Sequence, residues 1–252
     1  MAEDEKITEA CRLLEEAKNV VVFTGAGISA ESGIPTFRGK DGMWEKYRAE
    51  DLATPYAFEN DPKKVWEWYD WRRQKIQEGG PNPAHLTIAK MEKNFPNFSV
   101  ITQNVDGLHR KAGSKNIIEL HGNIWRVRCL EEQKIFEFLE VPLSEIPPKC
   151  KCGSLIRPDV VWFGEAMPQK EISQAFLLSE ECDSMLVVGT SVLVQPAASL
   201  PFSAKTNGAS IIEINLAATP VSSIANVSIF GKAGEILPEI FQRLEQCLSD
   251  GM

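Results

Sequence analysis

No run of about eighteen apolar residues occurs anywhere in the 252-residue chain, so nothing in it reads as a membrane-spanning helix. Basic clusters are missing too. With 27 Lys and Arg against 35 Asp and Glu the formal net charge is -8. Neutralising a phosphate backbone requires a basic stripe, so direct nucleic-acid binding is not expected, while a basic protein or a small cofactor remains an admissible partner. Six cysteines are too few for a disulfide scaffold and point to a reducing, cytoplasmic setting. Histidine is scarcest, with only His85, His109 and His121 available for proton transfer near neutral pH. The opening stretch MAEDEKITEACRLLEEAKN is acidic and places Ile7, Ala10, Cys11, Leu14 and Ala17 on one helical face, which is the pattern of neither a signal nor a transit peptide.

What is present is a globular composition, 43% hydrophobic and 25% charged, in a chain long enough to bury a large core. Strand-like apolar runs fall at 20–23, 98–102, 160–163, 185–189, 210–214 and 226–230. Helix-length amphipathic segments lie between many of them, at 84–93, 168–181, 196–206 and 234–249. Such alternation predicts an α/β fold, a doubly wound, mostly parallel sheet with helices on both faces and ligands at the carboxyl ends of its strands. Two stretches break the rhythm. Residues 40–80 are rich in Trp and charge and look helical, and 123–159 hold three cysteines in an irregular, Pro-bearing segment; both read as insertions forming a smaller module.

The stretch VVVFTGAGISAESGIPTFRG begins as a strand running into a nucleotide-binding turn, with Gly25, Ala26 and Gly27 fitting the start of G-x-G-x-x-G/A. A dinucleotide turn ordinarily leads into a long helix. Here Gly33, Pro35 and Gly39 interrupt it, and no strand ending in an acidic residue follows about 20 positions on, which disfavours a dehydrogenase. Further polar groups follow other strands: Gln103, Asn104 and Asp106; then His121 and Gly122; then Gly189, Thr190 and Ser191; then Asn215. Any one set could be plain turn residues, but four sets and a glycine turn gathered at one sheet edge describe a site.

In order along the chain, GAGISAESGIPTFRG, ITQNVDGLH, HGN, VVWFGE, GTSVLVQPA and IN resemble the sirtuins, the NAD-dependent protein deacylases, over nearly the whole length. The resemblance implies a Rossmann-type NAD-binding domain (1–39, 81–122 and 160–252) and a small module of helical and zinc-ribbon-like inserts (40–80 and 123–159), with an acyl-lysine peptide in the cleft between them. It implies that Gly25, Ala26, Gly27 and Ser29 approach the pyrophosphate, that Phe37 shields the reacting ribose and that Arg38 orders the loop. Gln103, Asn104 and Asp106 would line the nicotinamide pocket and hold an attacking water. Gly189, Thr190, Ser191 and Asn215 would hold the phosphates and adenosine ribose, with Lys232 and Ala233 near the adenine. His121 would be the general base, taking a ribose hydroxyl proton once the acyl oxygen has displaced nicotinamide; O-acyl-ADP-ribose and free lysine are then released. His85 and His109 are read as structural. Val161, Trp162, Phe163, Gly164 and Glu165 would pair with the peptide as an added strand, opposite Val194. A monomer is expected.

A second pattern bears on the acyl group. Val65, Trp68, Tyr69, Arg72 and Ile76 recur at helical spacing, and on spacing alone they describe a surface helix whose arginine lies over an aromatic stripe. Ala53 followed by Tyr69-x-x-Arg72, however, resembles the sirtuin class that removes succinyl, malonyl and glutaryl groups. Ala53 would leave room, and Tyr69 and Arg72 would bind a carboxylate that acetyl lacks. Arg73 shares nearly the same face, and only the family pattern selects Arg72. The sirtuin zinc ribbon uses two C-x-x-C pairs, but here the first reads CLEE and the second CKC. Cys129, Cys150 and Cys152 remain, and two readings stay open. Glu132 could complete a zinc site as an oxygen ligand, or the metal is lost and Ile135, Phe136, Phe138 and Leu139 hold the module together. An NAD-dependent mono-ADP-ribosyltransferase and a nonenzymatic NAD or acyl-lysine sensor are the alternative functions.

Overall fold

Six strands form a parallel sheet in the order β3 (Ile117–Glu119), β2 (Asn97–Thr102), β1 (Asn19–Thr24), β7 (Ser184–Val188), β8 (Ser210–Asn215) and β9 (Val227–Phe230). The computed structural model describes residues 2–37 and 48–250, with side chains to residue 247. Along β1 the side chains alternate between two cores. Val20 and Val22 pack with α1 (Glu3–Glu15), α4 (Pro83–Met91) and α8 (Ala233–Asp250); Val21 and Phe23 face the opposite layer, with α6 (Gln169–Glu181) and α7 (Leu200–Thr206). Burial on both faces is why these strands read as unbroken apolar runs. The doubly wound architecture follows as expected, and Ile7, Ala10, Cys11 and Leu14 are the buried face of α1.

The order reverses between β1 and β7. β1 connects onward to the β2 side and β7 to the β8 side, so a crevice opens at the carboxyl ends of those two strands.

A smaller antiparallel sheet places β4 (Gly122–Cys129) between β5 (Ile135–Glu137) and β6 (Ile156–Val160). It packs on α2 (Pro55–Asn60) and α3 (Pro62–Gly79) around a third core that includes Phe58, Val65, Trp66, Leu108 of α5 (Leu108–Ala112), Ile124, Val127 and Trp162. Both helices start where a capping side chain meets a proline. Ala57 N donates to Thr54 Oγ1 at 3.1 Å and Lys64 N to Asp61 Oδ1 at 2.9 Å, while Pro55 and Pro62 occupy a position where no amide hydrogen is needed.

Three local expectations change. The apolar run 160–163 is no strand of the main sheet: only Val160 is paired, at the end of β6, and 161–165 form a loop. Gly164, with φ +88, turns the chain there, and Trp162 N bonds to the Glu165 side chain instead of a neighbouring strand. Residues 123–129, within the stretch expected to be irregular, lie in β4, the central strand of the small sheet. The segment 196–206 begins with a short 3-10 turn, Ala197–Ser199, before α7.

Candidate active site

The glycine turn interlocks with the loop after β7. Gly27 N donates to Gly189 O at 2.7 Å, and a Cβ on Gly27 would lie 2.6 Å from that oxygen. A Cβ on Gly25 would lie 2.7 Å from Thr190 Cβ, and Gly189, at φ +58, has its α-carbon against the backbone of Gly27 and Ile28. Two loops approach backbone to backbone at the switch point, which only glycines permit. In place of a long helix, a 3-10 segment, Ala26–Ser32, ends at Gly33 in the left-handed region. Arg38 and Gly39 lie outside the described residues.

Behind this turn the polar groups from β2 form one buried network. Ser29 Oγ donates to Asp106 Oδ2 at 2.8 Å and receives Asn104 Nδ2 at 3.2 Å; Asn104 Nδ2 also reaches Gly25 O at 3.0 Å. Leu108 N donates to the other Asp106 oxygen at 2.9 Å. Burial raises the Asp106 pKa, opposed by these two donors and by the nearby positive charge of Arg72. Gln103 Nε2 donates to Thr190 Oγ1 at 2.9 Å, and Asn215 Nδ2 to Thr190 O at 2.7 Å, so the ends of β2, β7 and β8 are linked across the crevice. Ser191 is exposed. Lys232 is also exposed and paired with Glu235, and Ala233 is the buried first residue of α8.

His121 sits between the two sheets, just after β3 and just before β4. Its Nδ1 lies 2.9 Å from Gln103 O. A carbonyl only accepts, so Nδ1 carries the hydrogen and Nε2 keeps its lone pair. Burial lowers the His121 pKa, which the Gln103 carbonyl partly opposes. The residue is thus a neutral imidazole with a basic nitrogen at neutral pH. Its own carbonyl accepts from Val161 N at 2.9 Å, which ties the 161–165 loop to His121.

From the small module, α3 brings Tyr69 and Arg72 toward the same crevice. Ala53, Tyr69 and Trp162 share one buried cluster against which Phe37 packs. The Arg72 guanidinium lies 4.7 Å from the Trp68 ring centroid and 5.1 Å from that of Phe37. The surface-helix alternative fails on burial: Arg72 is 8% exposed and Tyr69 2%. Arg73 is buried as well but faces elsewhere, between Trp125 (5.1 Å) and Phe138 (5.3 Å), its pKa lowered by burial to about 10. Phe163 N is committed to Ala53 O at 2.9 Å, joining the 161–165 loop to the segment before α2; Phe163 and Gly164 are exposed, and Val194 is half-buried.

The Sir2 family model matches residues 25–196. An NAD-dependent protein deacylase of Aquifex aeolicus is 57% identical over 92% of this chain and 97% of its own. The chain belongs to the Sir2 family. Among solved structures, a Sir2 homologue in complex with NAD superposes with a TM-score of 0.90 at 49% identity, covering 96% of this chain and 94% of that one. A more distant Sir2 protein, bound to a myristoylated histone peptide, has a TM-score of 0.79 at 35% identity, covering 98% and 99%.

Within this Sir2 fold the ribbon cysteines converge. The donor atoms of Cys129, Glu132, Cys150 and Cys152 all lie within 4.8 Å of one another, and the Cys129 and Cys152 sulfurs are 3.5 Å apart. Sulfurs bound tetrahedrally at ~2.3 Å from one zinc ion stand about 3.8 Å apart, so the donor set fits a structural zinc. The competing apolar staple is corrected: Ile135 is 49%, Phe136 37% and Leu139 65% exposed, and only Phe138 packs inward.

Three further residues hold the site together. His85 and His109 stack edge to face at 4.9 Å, with His109 Nε2 3.0 Å from Thr24 Oγ1 and His85 Nε2 3.5 Å from Ser29 Oγ. They pack behind the Ser29, Asn104 and Asp106 network through Thr24 and Ser29. Trp125 Nε1 donates to Asp106 O at 2.7 Å. The signal for His85 lay in the Asn-Pro-x-His run that caps α4, since Asn82 Nδ2 also holds Ile28 O at 2.7 Å. Nothing in sequence spacing links Trp125 to Asp106.

Proposed function

We propose that this protein is an NAD-dependent lysine deacylase that prefers acidic acyl groups such as succinyl and malonyl, acting as a cytoplasmic monomer. The observation that carries the acyl preference is the buried Arg72 beside Tyr69, Ala53 and Phe37. A cation held in an apolar wall is matched by a carboxylate at the end of an acyl chain. A hydrogen bond to a charged group contributes roughly 1.5 to 3 kcal/mol, or about 10- to 150-fold in preference. None of the six cysteines is in a disulfide, and no helix among the described residues is long and apolar enough to cross a membrane.

Each part of the chain then has a task. The glycine turn and Gly189–Ser191 cradle the phosphates of NAD, Asn215 lies at the adenosine ribose, and Phe37 closes over the reacting end. Asn104, Ser29 and Asp106 orient the nicotinamide and a water. His121 Nε2 accepts the ribose hydroxyl proton, with Nδ1 anchored on Gln103 O so that the ring does not turn. The 161–165 loop and Val194 flank the peptide. Cys129, Cys150, Cys152 and Glu132 would hold a zinc ion that supplies cross-linking and no catalysis.

Mass-spectrometric turnover of one peptide carrying either acetyl-lysine or succinyl-lysine, with and without NAD, tests the reading. NAD-dependent loss of succinyl, faster than acetyl, is expected. Turnover of acetyl alone would leave the deacylase and discard the carboxylate pocket.

A further inference from the structure

The Tyr69 hydroxyl is buried out of reach of solvent, and its oxygen accepts from Trp162 Nε1 at 2.8 Å. An indole N–H can only donate. The Arg72 guanidinium, which interacts with the same hydroxyl, also carries donors only. A phenol has one hydrogen and two lone pairs. With donor-only groups facing the oxygen, its hydrogen is left to point away from both.

Trp162 is itself held on every side. The Arg157 guanidinium stacks 3.5 Å from the indole centroid, and Phe58 lies 5.3 Å away on a tilted approach. Glu165 accepts from Arg157 Nη1 at 2.6 Å, from Arg157 Nη2 at 2.9 Å and from Trp162 N at 2.8 Å. Arg157 Nη2 also donates to Val160 O at 2.9 Å. A bidentate pair of this kind fixes orientation as well as position. A chain of contacts therefore runs from Arg157 and Glu165 through the Trp162 indole to the Tyr69 oxygen.

We propose that Trp162, clamped by Arg157 and Glu165, is a specificity-positioning residue: its indole sets the Tyr69 hydroxyl as a donor aimed at the carboxylate of an acidic acyl group. The inference rests on the acyl preference argued above. An acetyl group presents no carboxylate, so the direction of the Tyr69 hydrogen matters to succinyl-lysine and not to acetyl-lysine. Removing the indole donor while keeping an aromatic ring frees the hydroxyl to turn.

The test compares kcat/KM on succinyl- and acetyl-lysine versions of one peptide for the wild type, Trp162→Phe, Tyr69→Phe and the double variant. Trp162→Phe is expected to lower the succinyl value about tenfold more than the acetyl value, chiefly through KM. The double variant should lose little more discrimination than Tyr69→Phe alone, because both act through one hydroxyl. Arg157→Met should shift the same ratio in the same direction. Equal losses on both acyl groups, or a ratio that survives Trp162→Phe, would overturn the inference while leaving the acyl preference standing. A wild type that favours acetyl would overturn the acyl preference, and this inference with it. A reading that does not depend on the folding of Trp162→Phe is the indole N–H resonance of Trp162 in the Tyr69→Phe protein. A shift supports the hydrogen bond, and an unmoved resonance sinks the proposal.

Discussion

A histidine works as a base only if one nitrogen is free and unprotonated, and the Nδ1 contact to Gln103 O meets the first condition at His121. Burial meets the second by lowering its pKa below the ordinary 6.5. The neutral form then predominates at and above pH 6.5 and declines as pH falls through the lower value. The acid limb of kcat/KM should accordingly lie below pH 6.5, and a limb above it would contradict this assignment. His121→Ala should cost on the order of 10² to 10⁴ in kcat. Calorimetric NAD affinity should hardly change, so the loss of rate is what separates an enzyme from a sensor. At Arg72 the expectation is one of selectivity. Arg72→Met should reduce succinyl turnover about 10- to 150-fold relative to acetyl. Equal losses would assign Arg72 to the fold instead.

At the scale of elements, the glycine turn and α4 carry the site, and their demands differ. Gly27→Ala would drive a methyl to 2.6 Å from Gly189 O, a backbone atom that can move only with its loop. A cost of about 1 to 3 kcal/mol in chemical unfolding and a weakened NAD complex are expected. The start of α4 buries His85, which packs on His109, and burial lowers the His85 pKa from 6.5 to about 4 and the His109 pKa in the same direction. The unfolded chain takes up these protons first. Stability from His85 is therefore fully present above pH 6.5 and is lost as pH falls toward 4, by about 3 kcal/mol at 1.36 kcal/mol per pKa unit. His85→Gln should flatten the fall of unfolding free energy between pH 6.5 and 4; an unchanged slope would rule the histidine out as its source. Elements of this kind were legible unevenly. β1, β2, β7, β8 and β9 announce themselves because a doubly covered strand is an apolar run. β4 does not, since Trp125, Arg126 and Arg128 on it serve packing and ion pairs with Glu119 and Asp159. The post-strand polar residues were visible from position alone. The His85 to Ser29 and Trp125 to Asp106 contacts were not, because they join elements far apart in the chain.

Across the whole molecule, the crevice that holds His121 is framed in part by the small antiparallel sheet. β4 starts one residue after His121, carries Trp125 onto the Asp106 carbonyl and ends at Cys129; β6 begins four residues after Cys152 and ends at Val160, whose successor bonds His121 O. The cysteine cluster thus ties together the far ends of the two strands whose near ends frame His121. With Ile135, Phe136 and Leu139 facing outward, the β5 side of the ribbon adds little apolar burial to that tie, and its packing rests on β4 and β6 in the third core. A zinc ion there would contribute folding free energy directly, as structural sites do. The protein purified without chelator should therefore contain about one zinc per chain by elemental analysis. Cys152→Ser should lose that zinc, lower the melting temperature and raise KM for the peptide more than KM for NAD, because the glycine turn and Gly189–Ser191, the proposed phosphate cradle, follow strands of the other sheet. A chain that carries no zinc and melts at the same temperature before and after the substitution would show that the cluster is a remnant, leaving Trp66, Val127 and Ile156 to hold the ribbon through the third core alone.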